Sequence, residues 1–166
     1  MHVVQSQQEL FDAIRRENIP LDIVAIWEGT LPDEIKHTCQ SPDTLFNAFM
    51  EHRDAFPCAD EFLMLWQTNG DSITAYLRAQ KIYVRWHMED GPSESEFEIL
   101  GHSYQQLIAR LLARKISRGT DSRILNDISA FFKFEYLQEL TNYVQTSSDW
   151  EGDGSTTFIA SIEAQK

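Results

Sequence analysis

The sequence predicts an α+β fold, a single domain in which a central antiparallel meander of about four to six strands is flanked by helices. Apolar residues recur at helical spacing towards both ends of the chain, whereas they alternate with polar residues between about residues 61 and 100. Asn69-Gly70 lies inside that alternating region and is a strong turn signal. With 166 residues, 42% of them hydrophobic, the chain is long enough to bury a core.

The first third of the chain contains three helix-start patterns and one short apolar segment. Ser6 and Glu9 form a capping-box pattern at the start of the first helix, which we expect to end near Asn18. Residues 21–27 are apolar and rich in β-branched side chains, which is typical of a strand or a buried connector. Residues 30–34 place proline and two carboxylates where a helix begins, and residues 41–43 repeat the pattern before another helix.

The centre of the chain predicts four antiparallel strands. Residues 62–66 are apolar without interruption, as in a strand that is covered on both faces. Two alternating runs follow, residues 72–78 and residues 81–87, and only Ala79 and Gln80 separate them, so we expect a hairpin. Residues 96–100 supply the fourth strand.

Helices return in the last third. Ser103 and Gln106 form a second capping box, and Gly119 is the expected end of that helix. Asp121 or Ser122 then begins a longer helix whose apolar face continues to Leu140. We assign the domain to residues 1–145. Residues 146–166 form a Ser/Gly/Asp-rich tail, expected to be mobile at first and to end in an edge strand or a docked segment.

Charge and cysteine content narrow the class of protein. The chain has 26 acidic and 14 basic residues, a formal net charge of −12, which argues against nucleic acid and anionic membranes as partners. The N-terminus lacks the basic and apolar regions of a secretory signal, and no apolar run is long enough to span a membrane. Cys39 and Cys58 are too few for a disulfide framework and fit two free thiols in the cytoplasm, although one bridge stays open.

Motifs for catalysis or metal binding are weak, so we expect neither an enzyme nor a cofactor. A serine-nucleophile elbow and a glycine-rich phosphate loop are both missing from the sequence. His37, Cys39, His52 and Cys58 match no standard zinc spacing. Residues 149–154 resemble the start of a calcium loop, but Ala160 stands where such a loop needs a bidentate acid.

A region from Phe62 to Ile116 resembles the SUKH superfamily, which includes fungal cell-wall-synthesis regulators and many bacterial immunity proteins. The resemblance rests on a Gly-Asp-bearing hairpin at residues 66–73, a strand followed by acids at residues 81–91, and a serine-led helix at residues 103–108. Residues 31–36 are similar to a Leu-Pro-led helix early in that family, although the family usually has an Asn-Gly soon afterwards and this chain does not. The resemblance implies an α+β domain without a cofactor that binds proteins, in bacteria commonly a toxin and often a nuclease.

A candidate partner-binding surface follows from the sheet pattern and the charge. Residues 89–98 carry five acids and no base, and a straight strand places alternate residues on one face. Tyrosine and arginine are typical interface anchors, and they lie on the neighbouring hairpin. The candidate residues are Tyr76, Tyr83, Arg85, His87, Glu94, Glu96 and Glu98. Two alternatives stay open: the glutamates protect a sheet edge, or a helix covers the tyrosines as ordinary core.

The sequence therefore predicts a cytoplasmic protein-binding module, an immunity protein that neutralises a basic toxin through acidic and aromatic side chains. A regulatory or scaffold protein unrelated to a toxin is the alternative, and a small hydrolase using His87 or His102 is a third.

Overall fold

The fold is α+β, as the sequence predicts, and its sheet has four strands. The computed structural model describes residues 4–52, 61–89, 97–148, 150 and 153–162. These residues belong to two compact units, residues 1–99 and residues 100–166. The elements in chain order are α1 (Gln7–Arg16), α2 (Asp22–Trp27), α3 (Asp43–Glu51), β1 (Phe62–Thr68), β2 (Ser72–Leu77), β3 (Ile82–His87), β4 (Glu98–Gly101), α4 (Tyr104–Ser117), α5 (Ser122–Phe131), α6 (Leu137–Thr146) and α7 (Asp153–Ser161).

The sheet is the predicted meander, with strand order β1-β2-β3-β4. Asn69 and Gly70 connect β1 to β2 with φ values of 51° and 70°, and the Asp71 N–H donates to the Thr68 carbonyl at 3.0 Å. Positive φ at both central residues is the mark of the hairpin turn that Asn-Gly favours. The next hairpin pairs Leu77 with Ile82, so its connection has four residues rather than two.

The first unit is built around β1, whose residues 62–66 are all buried as predicted. α1 and α2 both pack on this strand. The edge of β1 is also paired, because Gln40 exchanges two backbone hydrogen bonds of 2.9 Å with Gln67.

Two predictions in the first unit are wrong. Residues 22–27 form helix α2, where the sequence suggested a strand or a buried connector, because a short apolar segment does not distinguish a buried helix from a buried strand. Residues 30–34 do not begin a helix, since residues 33–38 form turns whose hydrogen bonds include Ile35 N–H to the Pro32 carbonyl at 3.1 Å. The helix expected after residues 41–43 is confirmed as α3, but its N-cap is Pro42 and no side chain caps it.

The two predicted capping boxes are both formed. The Ser6 hydroxyl accepts from the Glu9 N–H at 3.2 Å, and the Glu9 carboxylate accepts from the N–H of Gln5, one residue before the cap. The Ser103 hydroxyl likewise accepts from the Gln106 N–H at 3.2 Å. These bonds satisfy amide groups that would otherwise have no partner within the helix.

The second unit is helical, and α4 packs against α5, α6 and α7. The long helix expected after Asp121 is two helices, because the chain turns at Lys133, whose φ is 51°. The expected terminal edge strand is also wrong, since residues 153–161 form α7. Its docking on the core is confirmed by Ile159 and Ile162, which are buried.

Two contacts in the second unit position its helices. The Gln105 side chain spans the α5–α6 joint: its amide donates to the Lys133 carbonyl, and its oxygen accepts from the Glu135 N–H, both at 3.0 Å. The rings of Tyr143 and Phe158 join α6 to α7 and are stacked in parallel, with centroids 4.2 Å apart. In the part of the chain that the structure describes, no helix is long and apolar enough to cross a membrane.

Candidate partner-binding surface

The β2–β3 hairpin positions the predicted site residues by its register. Tyr76 lies opposite Tyr83, Thr74 opposite Arg85, and Ser72 opposite His87. Directly paired residues on an antiparallel ladder point to the same face, so this face carries both tyrosines, the arginine and the histidine. The sequence prediction that these side chains share one face is therefore confirmed by the register.

Both tyrosines are buried. Tyr76 is 6% exposed and Tyr83 is 4% exposed, and their ring centroids are 5.1 Å apart. Of the two alternatives that the sequence left open, the low exposure of these rings supports the second, in which the tyrosines belong to the core. Neither ring is exposed enough to contact a partner directly, so the two rings can only support their exposed neighbours on the same face.

The environment of Tyr76 also includes a charged pair that joins the sheet to α1. The Arg78 guanidinium lies 3.5 Å from the Glu17 carboxylate, and the Arg78 side chain is only 9% exposed. Burial, followed by the nearby negative charge of Glu17, raises the pKa of the Tyr76 hydroxyl above its ordinary value. Tyr76 is thus held in its neutral form, as a core hydroxyl should be.

Arg85 and Glu98 form the polar part of this face. The Arg85 guanidinium donates to the Glu98 carboxylate across β3 and β4, with side chains 19% and 45% exposed. On the opposite face of the sheet, Phe97, the residue before β4, packs edge-on against Phe62 of β1, with ring centroids 5.1 Å apart. The ion pair and the aromatic contact fix Glu98 beside the hairpin, as the sequence predicted for this residue. Glu94 and Glu96 lie outside the described residues.

His87 is exposed and lies beside a depression at the end of the hairpin. This hairpin-end depression has a volume of about 580 Å³ and is lined by Gly70, Asp71, His87, Met88 and Glu89. The Met88 N–H donates to the Asp71 carbonyl at 2.9 Å, which extends the β2–β3 pairing by one step beyond Ser72 and His87. The depression therefore places two carboxylates and an imidazole at one end of the sheet.

Asp71 and Glu89 are site residues that sequence reasoning did not select. The signal was present: Asp71 follows the Asn-Gly turn and Glu89 follows β3, so a correct hairpin register brings them to the same end of the sheet. A prediction based on alternation within strands passes over both residues because they lie just beyond the strand ends.

The weak metal motifs gain no support from the described residues. Among these residues, no group of three or more histidine, cysteine or acidic side chains could hold a metal ion. His37 is exposed while Cys39 is buried, so these two side chains face different surroundings. Cys58 and half of the calcium-like segment, residues 149, 151 and 152, lie outside the described residues.

Comparison with protein-family models finds no match for this chain, and comparisons with curated proteins and with solved structures find none either.

Proposed function

We propose that this chain is a cytoplasmic protein-binding module of the SUKH type, an immunity protein that neutralises a basic toxin. The observation that carries the proposal is the hairpin-end depression, where Asp71 and Glu89 lie beside the exposed imidazole of His87. This depression belongs to the unit that holds almost all of the net negative charge. Residues 1–99 contain 18 acids and 7 bases, a net charge of −11, whereas residues 100–166 carry a net charge of −1.

The chemistry of this surface suits a positively charged protein. A toxin that acts on an anionic substrate, such as a nucleic acid, has to present basic side chains at its substrate-binding surface. Carboxylates at the edge of a depression attract such side chains over a long range and pair with them on contact. Inhibition then follows because the immunity protein occupies the surface that the substrate needs.

The rigid base of the site comes from the buried hairpin. Tyr76 and Tyr83 pack together on the same face as Arg85 and His87, so the exposed groups lie beside a buried and fixed part of the hairpin. The Arg85–Glu98 pair is partly exposed, and pairs of this kind contribute little stability. We assign it the role of fixing the orientation of the partner rather than that of supplying most of the affinity.

The first test is capture and rescue. The full chain, carrying an affinity tag, is used to capture the protein encoded by the adjacent gene, and the two are co-expressed in a growth assay. We expect a stable complex and restored growth. A complex whose partner is not toxic would overturn the immunity role in favour of the scaffold alternative, and the absence of any complex would overturn both.

The second test locates the surface. Asp71→Lys combined with Glu89→Lys should lower the association rate with that partner by roughly tenfold at low salt, because it reverses the attraction between the two proteins. The wild-type rate should also fall as salt rises from about 0.01 M to about 0.1 M, where the screening length shortens from about 30 Å to about 10 Å. Stopped-flow mixing measures both effects.

The matched control reverses the charge of two exposed acids of the other unit, Asp127→Lys on α5 and Glu139→Lys on α6. It changes the net charge by the same amount but leaves the hairpin-end depression intact. If both double variants slow association equally, net charge alone is responsible and the proposed location is wrong. If salt leaves the wild-type rate unchanged, the electrostatic mechanism is wrong.

A further inference from the structure

We infer that a second depression, at the C-terminal end of α2, is a binding site for a neutral carbonyl group attached to a small aliphatic body. This α2 depression is independent of the proposed immunity function and has a volume of about 350 Å³. Such a volume falls within the range of small-ligand pockets. The residues that line it are Ile26, Trp27, Glu28, Gly29, Leu31, Lys36, Cys39, Gln40, Ser41 and Asp43.

Two residues that line the depression each carry a buried polar atom that lacks a hydrogen-bond partner among the described residues. These atoms are the indole Nε1 of Trp27 and the hydroxyl of Ser41. Trp27 is 6% exposed, and its N–H can only donate, so it needs an acceptor. Buried polar groups in proteins are nearly always hydrogen-bonded, and an exception calls for an explanation such as an absent ligand.

The indole is held firmly by its neighbours. Its ring makes edge-on contacts with Phe11, at a centroid distance of 6.1 Å, and with Phe46, at 5.6 Å. These contacts come from α1 and α3 and prevent the ring from turning freely towards a partner elsewhere. A ligand that brings an acceptor to the indole can supply the missing bond while the ring keeps its place between Phe11 and Phe46.

The second orphan atom lies just before an uncapped helix. Ser41 precedes Pro42, the N-cap of α3, which has no side-chain acceptor to offer to the first N–H groups of the helix. The indole N–H of Trp27 can only donate, whereas the Ser41 hydroxyl can donate or accept. An acceptor oxygen is therefore the one group that can pair with both atoms.

Charge excludes an anion as the source of that oxygen. Glu28 and Asp43 contribute carboxylates to the wall, and the Lys36 ammonium is paired with Asp33. A carboxylate or phosphate would meet two like charges and one cation that is already engaged. A neutral carbonyl avoids this repulsion, and Ile26 and Leu31 provide apolar contacts for an aliphatic group attached to it.

Entry requires a small movement of the wall, because both orphan atoms are covered in the ligand-free chain. Residues 38–41 are fixed to β1: the Thr68 hydroxyl donates to the Thr38 carbonyl at 2.8 Å, and the Gln67 amide donates to the Ser41 carbonyl at 3.0 Å. The segment between Gly29 and Lys36 is thus the part that we expect to yield.

The test follows the indole N–H of Trp27 by nuclear magnetic resonance in the isolated full-length chain. The probe is N-acetyl-leucine N-methylamide, a neutral molecule with two carbonyl groups and one aliphatic side chain. We expect a saturable downfield shift of the Trp27 indole proton, with a Kd of about 1 mM, as is typical of such a small ligand. Trp27→Phe assigns the signal, and backbone-linked assignment replaces it if that variant does not fold.

Two internal controls make the result specific. Trp86 also has a buried indole N–H without a partner among the described residues, but it does not line the α2 depression, so its signal should not move. N-acetyl-leucine, which differs by carrying a carboxylate, should bind several-fold more weakly than the neutral amide. Equal shifts at both indoles, or tighter binding of the carboxylate, would overturn the inference.

A variant pair tests the second donor. Ser41→Ala should weaken binding of the neutral probe several-fold, whereas Ser117→Ala, an exposed serine at the end of α4, should leave it unchanged. Unchanged binding in Ser41→Ala would remove the hydroxyl from the site. Because no protein partner is used, failure here leaves the immunity proposal intact, and failure of that proposal leaves this one intact.

Discussion

Gly101 packs directly against Gln106 where β4 leads into α4. A Cβ at Gly101 would lie 2.5 Å from the Gln106 Cβ and 3.1 Å from its Oε1. Gln106 cannot easily retreat, because its Oε1 accepts from the His102 N–H at 2.8 Å and its Nε2 donates to the Ile162 carbonyl at 3.4 Å. The glycine is required here for space, and not for an unusual backbone angle.

Gly101→Ala should therefore lower the free energy of unfolding by about 1–3 kcal/mol, as is usual when a side chain is forced into a packed site. Urea denaturation measures the change. Gly29→Asn is the informative comparison: at Gly29 φ is +69° and a Cβ would have no atom within 4 Å, so asparagine, which tolerates positive φ, should cost less. An equal loss in both variants would show that space is not the limiting factor at Gly101.

At the level of elements, four helices of the described part of the chain end with the same hydrogen-bonded turn. The residue after the C-cap adopts positive φ, and the next N–H donates to a carbonyl five residues earlier. At the end of α4, for example, the Thr120 N–H donates to the Lys115 carbonyl at 3.1 Å. This is the Schellman motif. In these four turns, the residues with positive φ are Asn18, Gly29, Gly119 and Lys133.

Lys133 is the unfavourable member of this set, because a lysine side chain disfavours the left-handed region. Lys133→Gly should raise the free energy of unfolding by about 0.5–1 kcal/mol, and Lys133→Val should lower it by about 1 kcal/mol or more. Thermal denaturation of the two variants provides the measurement. The prediction fails if glycine and valine shift the stability in the same direction.

These helix ends also explain which elements the sequence could predict. Asn18 and Gly119 are common stop signals, and α1 and α4 were predicted close to their actual ends. Lysine carries no such signal, so the turn at Lys133 was missed and α5 and α6 were merged. Gly29 is a common stop signal, but α2, the helix that it ends, was not identified because residues 21–27 are too few and too apolar.

The candidate site was predictable in part for a similar reason. Alternation along β2 and β3 correctly placed Tyr76, Tyr83, Arg85 and His87 on one face. Alternation does not say whether a face is covered, and the burial of both tyrosines depends on contacts between residues far apart in the sequence. Asp71 and Glu89 required the exact register of a hairpin whose connection is longer than its sequence indicates.

Across the whole molecule, negative charge is distributed very unevenly. Residues 1–99 carry a net charge of −11 within one compact unit, and residues 100–166 are nearly neutral. Like charges held close in a folded unit repel more strongly than in the extended unfolded chain, so this distribution lowers stability at low salt. Under the proposed function this surplus of acid attracts a basic partner, and in the isolated chain it lowers the free energy of unfolding.

Added sodium chloride should therefore stabilise the isolated chain. Raising it from about 0.01 M to about 0.1 M shortens the screening length from about 30 Å to about 10 Å. We expect a gain of roughly 1 kcal/mol, seen as a rise of about 2–4 °C in Tm by calorimetry. The salt effect should shrink near the sequence pI of about 4.7, where the net charge is close to zero. A Tm that falls with salt at neutral pH would contradict this explanation.

The stacked rings of Tyr143 and Phe158 give the C-terminal helix a spectroscopic signature. Protons that lie over the face of an aromatic ring resonate upfield, and two parallel rings with centroids 4.2 Å apart expose each other's protons to this effect. The aromatic resonances of this pair therefore report whether α7 is docked on α6. The molecule carries its own label for that event, and no dye or added tag is needed to follow it.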